Sequence, residues 1–151
     1  MSTSQEQSAT RVFLADLQVV LIQGDREIVR IAVCDIKLIG EFTTSAGPMA
    51  DDWFIVFMTS AKDWTQISEY TPGMLELLQE LGTHLKAELV GTLFASISWK
   101  TNIIWPQQVT GREMWSVLTE KPATLIGRLK KALGFASQQL MLTEVAASVF
   151  R

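Results

Sequence analysis

Between Asp51 and Ser68 the chain reads DDWFIVFMTSAKDWTQIS. Trp53, Ile55 and Phe57 fall on one side of an extended segment and Phe54, Val56 and Met58 on the other, because strand side chains alternate with a period of two. A strand apolar on both faces is a central one, covered from both sides. Ser60-Ala61-Lys62-Asp63 is a short connection. Trp64, Gln66 and Ser68 then alternate with Thr65, Ile67 and Glu69, so the pattern predicts a hairpin over Trp53–Glu69. Such a segment, sheathed on either flank, leaves no room there for reactive machinery.

The same reading extends outward in both directions. Met1–Thr10 is polar and predicts a loose tail, leaving residues 11–151 as a single domain. Val12–Ile22 is rich in strand formers, Gln23-Gly24-Asp25-Arg26 is turn-like, and Glu27–Val33 resumes the strand pattern, which together predict a first hairpin. Asp35–Phe42 is a third strand, with Gly40 marking a bulge or a close backbone approach. Thr43–Asp52 is a surface loop that holds the chain-reversal signal Gly47-Pro48. Thr71-Pro72-Gly73 predicts a helix start capped by Thr71. Met74, Leu75, Leu77, Leu78, Leu81 and Leu85 then recur at three and four residues and make one apolar helical face, which Gly82 weakens or ends. Leu89–Trp105 predicts one or two strands closed by Pro106, and Met114–Leu118 a short one. Pro122–Leu133 predicts a second amphipathic helix before the cap residue Gly134. Leu140–Phe150 reads equally as helix or strand. The sum is an α+β fold: one antiparallel, strongly bent sheet of about 6–7 strands with two amphipathic helices packed on it.

Composition narrows the class. The 151 residues suit one domain with a substantial core. No stretch approaches the ~18 uncharged apolar residues of a membrane helix, so stable membrane insertion is not expected. The start carries no basic-then-apolar secretion pattern, and the lone Cys34 suits a reducing compartment, so the expected location is the cytoplasm. Up to Gly111 there are seven Lys/Arg against thirteen Asp/Glu, and from Arg112 onward six against three. An acidic chain is a poor partner for nucleic acid. The basic Lys121–Lys131 stretch reads as a solvated face, with an anionic surface or acidic partner as the alternative.

Three stretches resemble a family of small uncharacterised bacterial proteins: Gly40-Glu41-Phe42-Thr43-Thr44; Gly47-Pro48 followed by Asp51-Asp52-Trp53-Phe54; and Trp99 leading to Ile104-Trp105-Pro106 and Gly111. The resemblance spans about the middle half of the chain. It implies a bacterial cytosolic setting and carries no activity, ligand or catalytic residue with it. The early hairpins followed by a helix also resemble a pleckstrin-homology-like order of elements, which does not imply a function.

Candidate chemistry is sparse. One histidine, His84, and one cysteine, Cys34, exclude a zinc site of the usual nitrogen and sulfur type. Cys34 lies in an apolar run and reads as a small buried side chain, and His84 as a surface residue near a helix end. Asp51 and Asp52, with Glu41 nearby in sequence, are weak candidates for a hard cation, although adjacent strand carboxylates point to opposite faces. No glycine-rich phosphate loop is present and no cofactor is expected. All five tryptophans lie between Trp53 and Trp115. Trp53 reads as core, whereas Trp99, Trp105 and Trp115 border polar or proline-containing segments and form the candidate binding surface.

Three functions follow as expectations. The first is a non-enzymatic module that binds a protein partner or itself, as a homodimer for instance. The second is a small-molecule-binding protein with a Trp-lined pocket. The third is a metal-dependent enzyme using Asp51, Asp52 or Glu41.

Overall fold

A computed structural model describes residues 9–44, 52–93, 98–118 and 139–151. Its elements are mostly antiparallel strands with short helices, an α+β architecture. The single bent sheet expected from the sequence is instead three sheets. Strands β1 (Thr10–Ala15), β2 (Gln18–Gln23) and β3 (Arg26–Ala32) form the first, in sequence order. Strands β4 (Leu38–Thr43), β5 (Trp53–Met58), β6 (Trp64–Ser68) and β7 (Lys100–Trp105) form the second, in the order β6-β5-β4-β7. Strands β8 (Trp115–Leu118) and β9 (Gln139–Leu142) pair as the third. Alternation identifies strands but not their partners, and the turn at Val33–Asp35 ends the first sheet before β4 begins.

The apolar run Val12–Ile22 is two strands. It reverses at Asp16 and Leu17, both at positive φ (50° and 56°), and β1 pairs with β2 from Thr10↔Gln23 to Ala15↔Gln18. Thr10 belongs to β1 and not to the expected tail; residues 1–8 lie outside the described ones. Most of the expected loop, including Gly47-Pro48 and Asp51, and the whole expected helix Pro122–Leu133 lie outside them as well. The hairpin β5–β6 matches its prediction, with Ile55 opposite Ile67 and Met58 opposite Trp64.

The four-stranded sheet separates two cores. Period-two alternation sends Ile39, Ile55, Phe57, Ile67 and Ile104 to one face, where they meet the first sheet and helix α1 (Met74–Leu85). Leu38, Phe42, Val56, Met58 and Ile103 point the other way, toward Met114, Trp115 and helix α2 (Glu144–Ser148). β5 is therefore buried on both faces, as its sequence requires.

Helix α1 buries Met74, Leu77, Leu78 and Leu81, each worth roughly 1.5–3 kcal/mol of transfer free energy. Leu75 does not join that face; it is 64% exposed, being about 100° around the helix from Met74. Thr71 does not cap the helix with its side chain. Gly73 holds the N-cap position at φ 91°, and a Cβ there would lie 2.1 Å from the Val12 carbonyl oxygen. That close approach, together with the Val12 amide donating to the Pro72 carbonyl (2.9 Å), ties α1 to β1.

The ambiguous C-terminal stretch is both strand and helix. Thr143 divides them: its hydroxyl donates to the Glu113 carbonyl (2.6 Å) and accepts from the Ala146 amide (3.2 Å) as the N-cap of α2. Cys34 is exposed rather than buried, because the chain turns at Val33–Asp35 and points Val33 inward and Cys34 out. No helix among the described residues is long and apolar enough to cross a membrane.

Candidate functional site

On the α1-facing side of the central sheet, residue type changes along every strand. Ile39 is followed two residues on by Glu41, Ile67 by Glu69, while Ile55 is preceded by Trp53 and Ile104 by Asn102. Antiparallel pairing puts these four at one end: Glu41 lies opposite Asn102 in β7, and the Glu69 amide donates to the Trp53 carbonyl (2.9 Å). The other end of the face is aliphatic and lies under α1.

Glu41 is completely buried. One carboxylate oxygen accepts from the Thr92 amide (2.7 Å), the Asn102 side-chain amide (2.9 Å) and the Thr92 hydroxyl (3.1 Å). The other accepts from the Trp53 indole N–H (2.8 Å) and, at 3.5 Å, the Leu93 amide. Every partner is a neutral donor, which suits the acceptor-only carboxylate form. The segment that supplies Thr92 crosses the sheet closely at Gly91. A Cβ at that residue would lie 2.7 Å from the Trp53 ring and 2.9 Å from the Glu41 oxygen.

Glu69 is the opposite case. Its Oε2 is buried with no hydrogen-bond partner among the described residues. Burial, and then the negative charge of Glu41, push its carboxyl up to about 7. Burial penalises the charged form and a like charge repels it.

A groove of about 720 Å³ opens beside this pair. Trp53 and Glu69 form part of its wall; Leu75, Leu78 and Gln79 of α1 another; Leu89, Val90 and Gly91 a third. The turn after α1 shapes it. Lys86 adopts φ 55°, the Ala87 amide donates to the Gly82 carbonyl (2.9 Å), and a Cβ on Gly82 would lie 2.5 Å from the Ala87 carbonyl oxygen. Gly82 therefore permits the chain to fold back against its own helix.

The three tryptophans chosen from the sequence do not form one surface: Trp99 and Trp115 lie on one side of the sheet and Trp105 on the other. Trp115 is 3% exposed, and therefore no free binding surface, because it packs against Phe42 (ring centroids 5.5 Å apart) and Trp64 (4.9 Å). Trp99 is half-buried and shares a depression of about 400 Å³ with Trp115. Trp105, also half-buried, packs on the opposite core. Trp53 is buried as expected, yet it is the tryptophan that walls the groove.

Asp52 is buried and its Oδ1 accepts from the Tyr70 hydroxyl (3.2 Å), while Asp51 lies outside the described residues. Among the described residues no group of three or more His, Cys, Asp and Glu side chains is placed to hold a metal ion. His84 is exposed on α1. A second depression of about 700 Å³ carries Arg30, Lys37 and Lys62 beside Asp35 and Asp63, a mixture that selects no ligand charge.

Sequence reasoning named Glu41, though as a cation ligand, and passed over Glu69 and Asn102. An acid two residues from Ile39 in a strand apolar on both sides is the signal for Glu41. Glu69 has none, since an acid at a hairpin end reads as solvated. No protein-family model, curated protein or solved structure matches the chain.

Proposed function

We propose that this is a small-molecule-binding protein of the bacterial cytoplasm, and that its ligand occupies the groove between α1 and the 86–91 segment. One observation carries the reading: Glu69, an acid in the wall of a groove that also holds a tryptophan, keeps a buried carboxyl oxygen, Oε2, with no hydrogen-bond partner among the described residues. Burying an unsatisfied polar atom costs about 1–3 kcal/mol, so its retention points to a group supplied from outside. The volume falls within the roughly 300–1,000 Å³ of ordinary ligand sites. The pleckstrin-homology-like order of elements lends this reading nothing, since fold does not fix function.

The test is tryptophan emission during a metabolite screen on the wild type and on Trp53→Phe. Compounds that quench the wild type and leave the variant unchanged are expected. Silence across the library would remove the reading.

The protein-partner alternative has one support. Leu75 and Val90 are 64% and 54% exposed at the groove's edge, where a partner's side chain would also find apolar contact. Sedimentation velocity separates the two: a concentration-dependent dimer abolished by Leu75→Asp would favour self-association. The metal-dependent alternative has no such support, because the Glu41 oxygens are already taken up by donors.

A further inference from the structure

We infer that the groove selects an organic ammonium, a protonated primary or secondary amine on a compact apolar body, with its charged head at Glu69 and against the Trp53 ring. The inference rests on the groove being a ligand site, as proposed above. Four features point to a cation.

Glu69 offers a buried carboxyl oxygen that no donor of the described residues reaches. Glu41 is near enough for its charge to act on Glu69, and its hydrogen-bond partners among the described residues are all neutral: Trp53, Thr92, Asn102 and the Leu93 amide. Its charge is therefore spread by dipoles and not cancelled by a lysine or arginine among the described residues. The electron-rich face of an indole attracts an ammonium. Leu75, Leu78, Leu89 and Val90 supply apolar surface for the body. The remaining charged groups on the groove are Lys86 and Glu88, both exposed and of opposite sign. The neighbours from α1 other than leucine are Gln79, Gly82 and Thr83, which carry no charge.

A neutral or anionic ligand would need the reverse arrangement, with protonated Glu69 as donor. The two cases differ in sign. With Glu69 releasing its proton near pH 7, about nine-tenths of it is protonated at pH 6.0 and nearly all is ionised at pH 8.5. An ammonium then binds about tenfold more tightly at the higher pH, while a ligand that accepts from the protonated acid binds more tightly at the lower.

The experiment titrates phenethylammonium, 2-phenylethanol and 3-phenylpropionate into the ¹⁵N-labelled full chain, followed by amide spectra at pH 6.0 and 8.5. Phenethylammonium is expected to move the amides of Gln79, Leu89 and Gly91, to bind about tenfold or more tightly than the alcohol at pH 8.5, and to lose about tenfold at pH 6.0. Glu69→Gln is expected to bring amine and alcohol near parity and to remove the pH dependence. Equal binding of amine and alcohol in the wild type, or preference for the carboxylate, overturns the cation inference and leaves the groove as a ligand site. If none of the three moves those amides, groove and inference fall together. The wild-type pH comparison decides the matter even where the variant fails to fold.

Discussion

Glu69→Gln provides the sharpest measurement on the fold, because it is expected to stabilise the protein by an amount that grows between about pH 4.5 and about pH 7 and is complete above neutrality. The folded state holds the Glu69 proton up to about pH 7, whereas the unfolded chain releases it near the ordinary value of 4.5. Between those values the folded state binds more protons, so stability falls as pH rises from about 4.5 to about 7 and is level beyond. The difference of about 2.5 pH units corresponds to at most about 3.4 kcal/mol, at roughly 1.36 kcal/mol per unit. Glu69 is only half-buried, and solvent screening reduces this to about 1–2 kcal/mol. Glutamine keeps the shape and has no proton to release. Urea denaturation followed by far-ultraviolet circular dichroism should find the variant within about 0.5 kcal/mol of wild type at pH 4.5 and about 1–2 kcal/mol more stable at pH 8.5. A variant less stable at pH 8.5, or a difference equal at both pH values, would refute the assignment of Glu69 as a destabilised acid. An acid kept at a cost to stability is what a binding site leaves behind.

Glu41→Gln should act in the other direction. Whichever oxygen becomes an amide nitrogen then faces donors, either the Trp53 indole or Thr92 and Asn102, and the loss should be about 2–4 kcal/mol in the same denaturation experiment. Removal of that charge should also bring the Glu69 titration, read by carboxyl ¹³C shifts, down from about 7 toward its ordinary value. Leu81→Ala, at a site with no exposure, should cost about 2–5 kcal/mol, while Leu75→Ala, on the same helix but at the groove, should stay within about 0.5 kcal/mol of wild type and weaken phenethylammonium binding.

Local patterns in the chain specify elements better than they specify partners. β5 is legible because six consecutive apolar residues can be covered on both faces only at the centre of a sheet, and it sits between β6 and β4. The α1 boundaries are legible because leucine spacing and Pro72 agree. Its cap is not, because the demand for glycine at the N-cap Gly73 comes from contact with Val12 of β1, sixty-one positions away. The reversal at Asp16-Leu17 is hidden for a similar reason. Leucine has little preference for positive φ, and the pairing of β1 with β2 imposes it. Cys34 shows how neighbours mislead: an apolar run implies burial only while the chain stays extended.

The site was illegible for a further reason, which concerns register. Taken singly, Glu41 in β4, Trp53 in β5, Glu69 after β6 and Asn102 in β7 each look like one polar or amphipathic residue near a strand end. Pairing brings them to one end of one face on two neighbouring levels, Glu41 opposite Asn102 and Trp53 beside Glu69. A sheet face that was only core would continue in aliphatic residues there, as it does at Ile39, Ile55, Ile67 and Ile104. A face that was only structural polarity would satisfy all of its members, as it does for Glu41. Glu69 belongs to neither description: it shares the end of the face and the field of Glu41 but not its donors. Strand alternation explains how the two acids meet, and packing explains why α1 covers the aliphatic half alone. What neither explains is an acid with an oxygen left without a donor among the described residues, in the wall of a groove wide enough for a ligand, and the cation proposed above would supply the missing half of that arrangement.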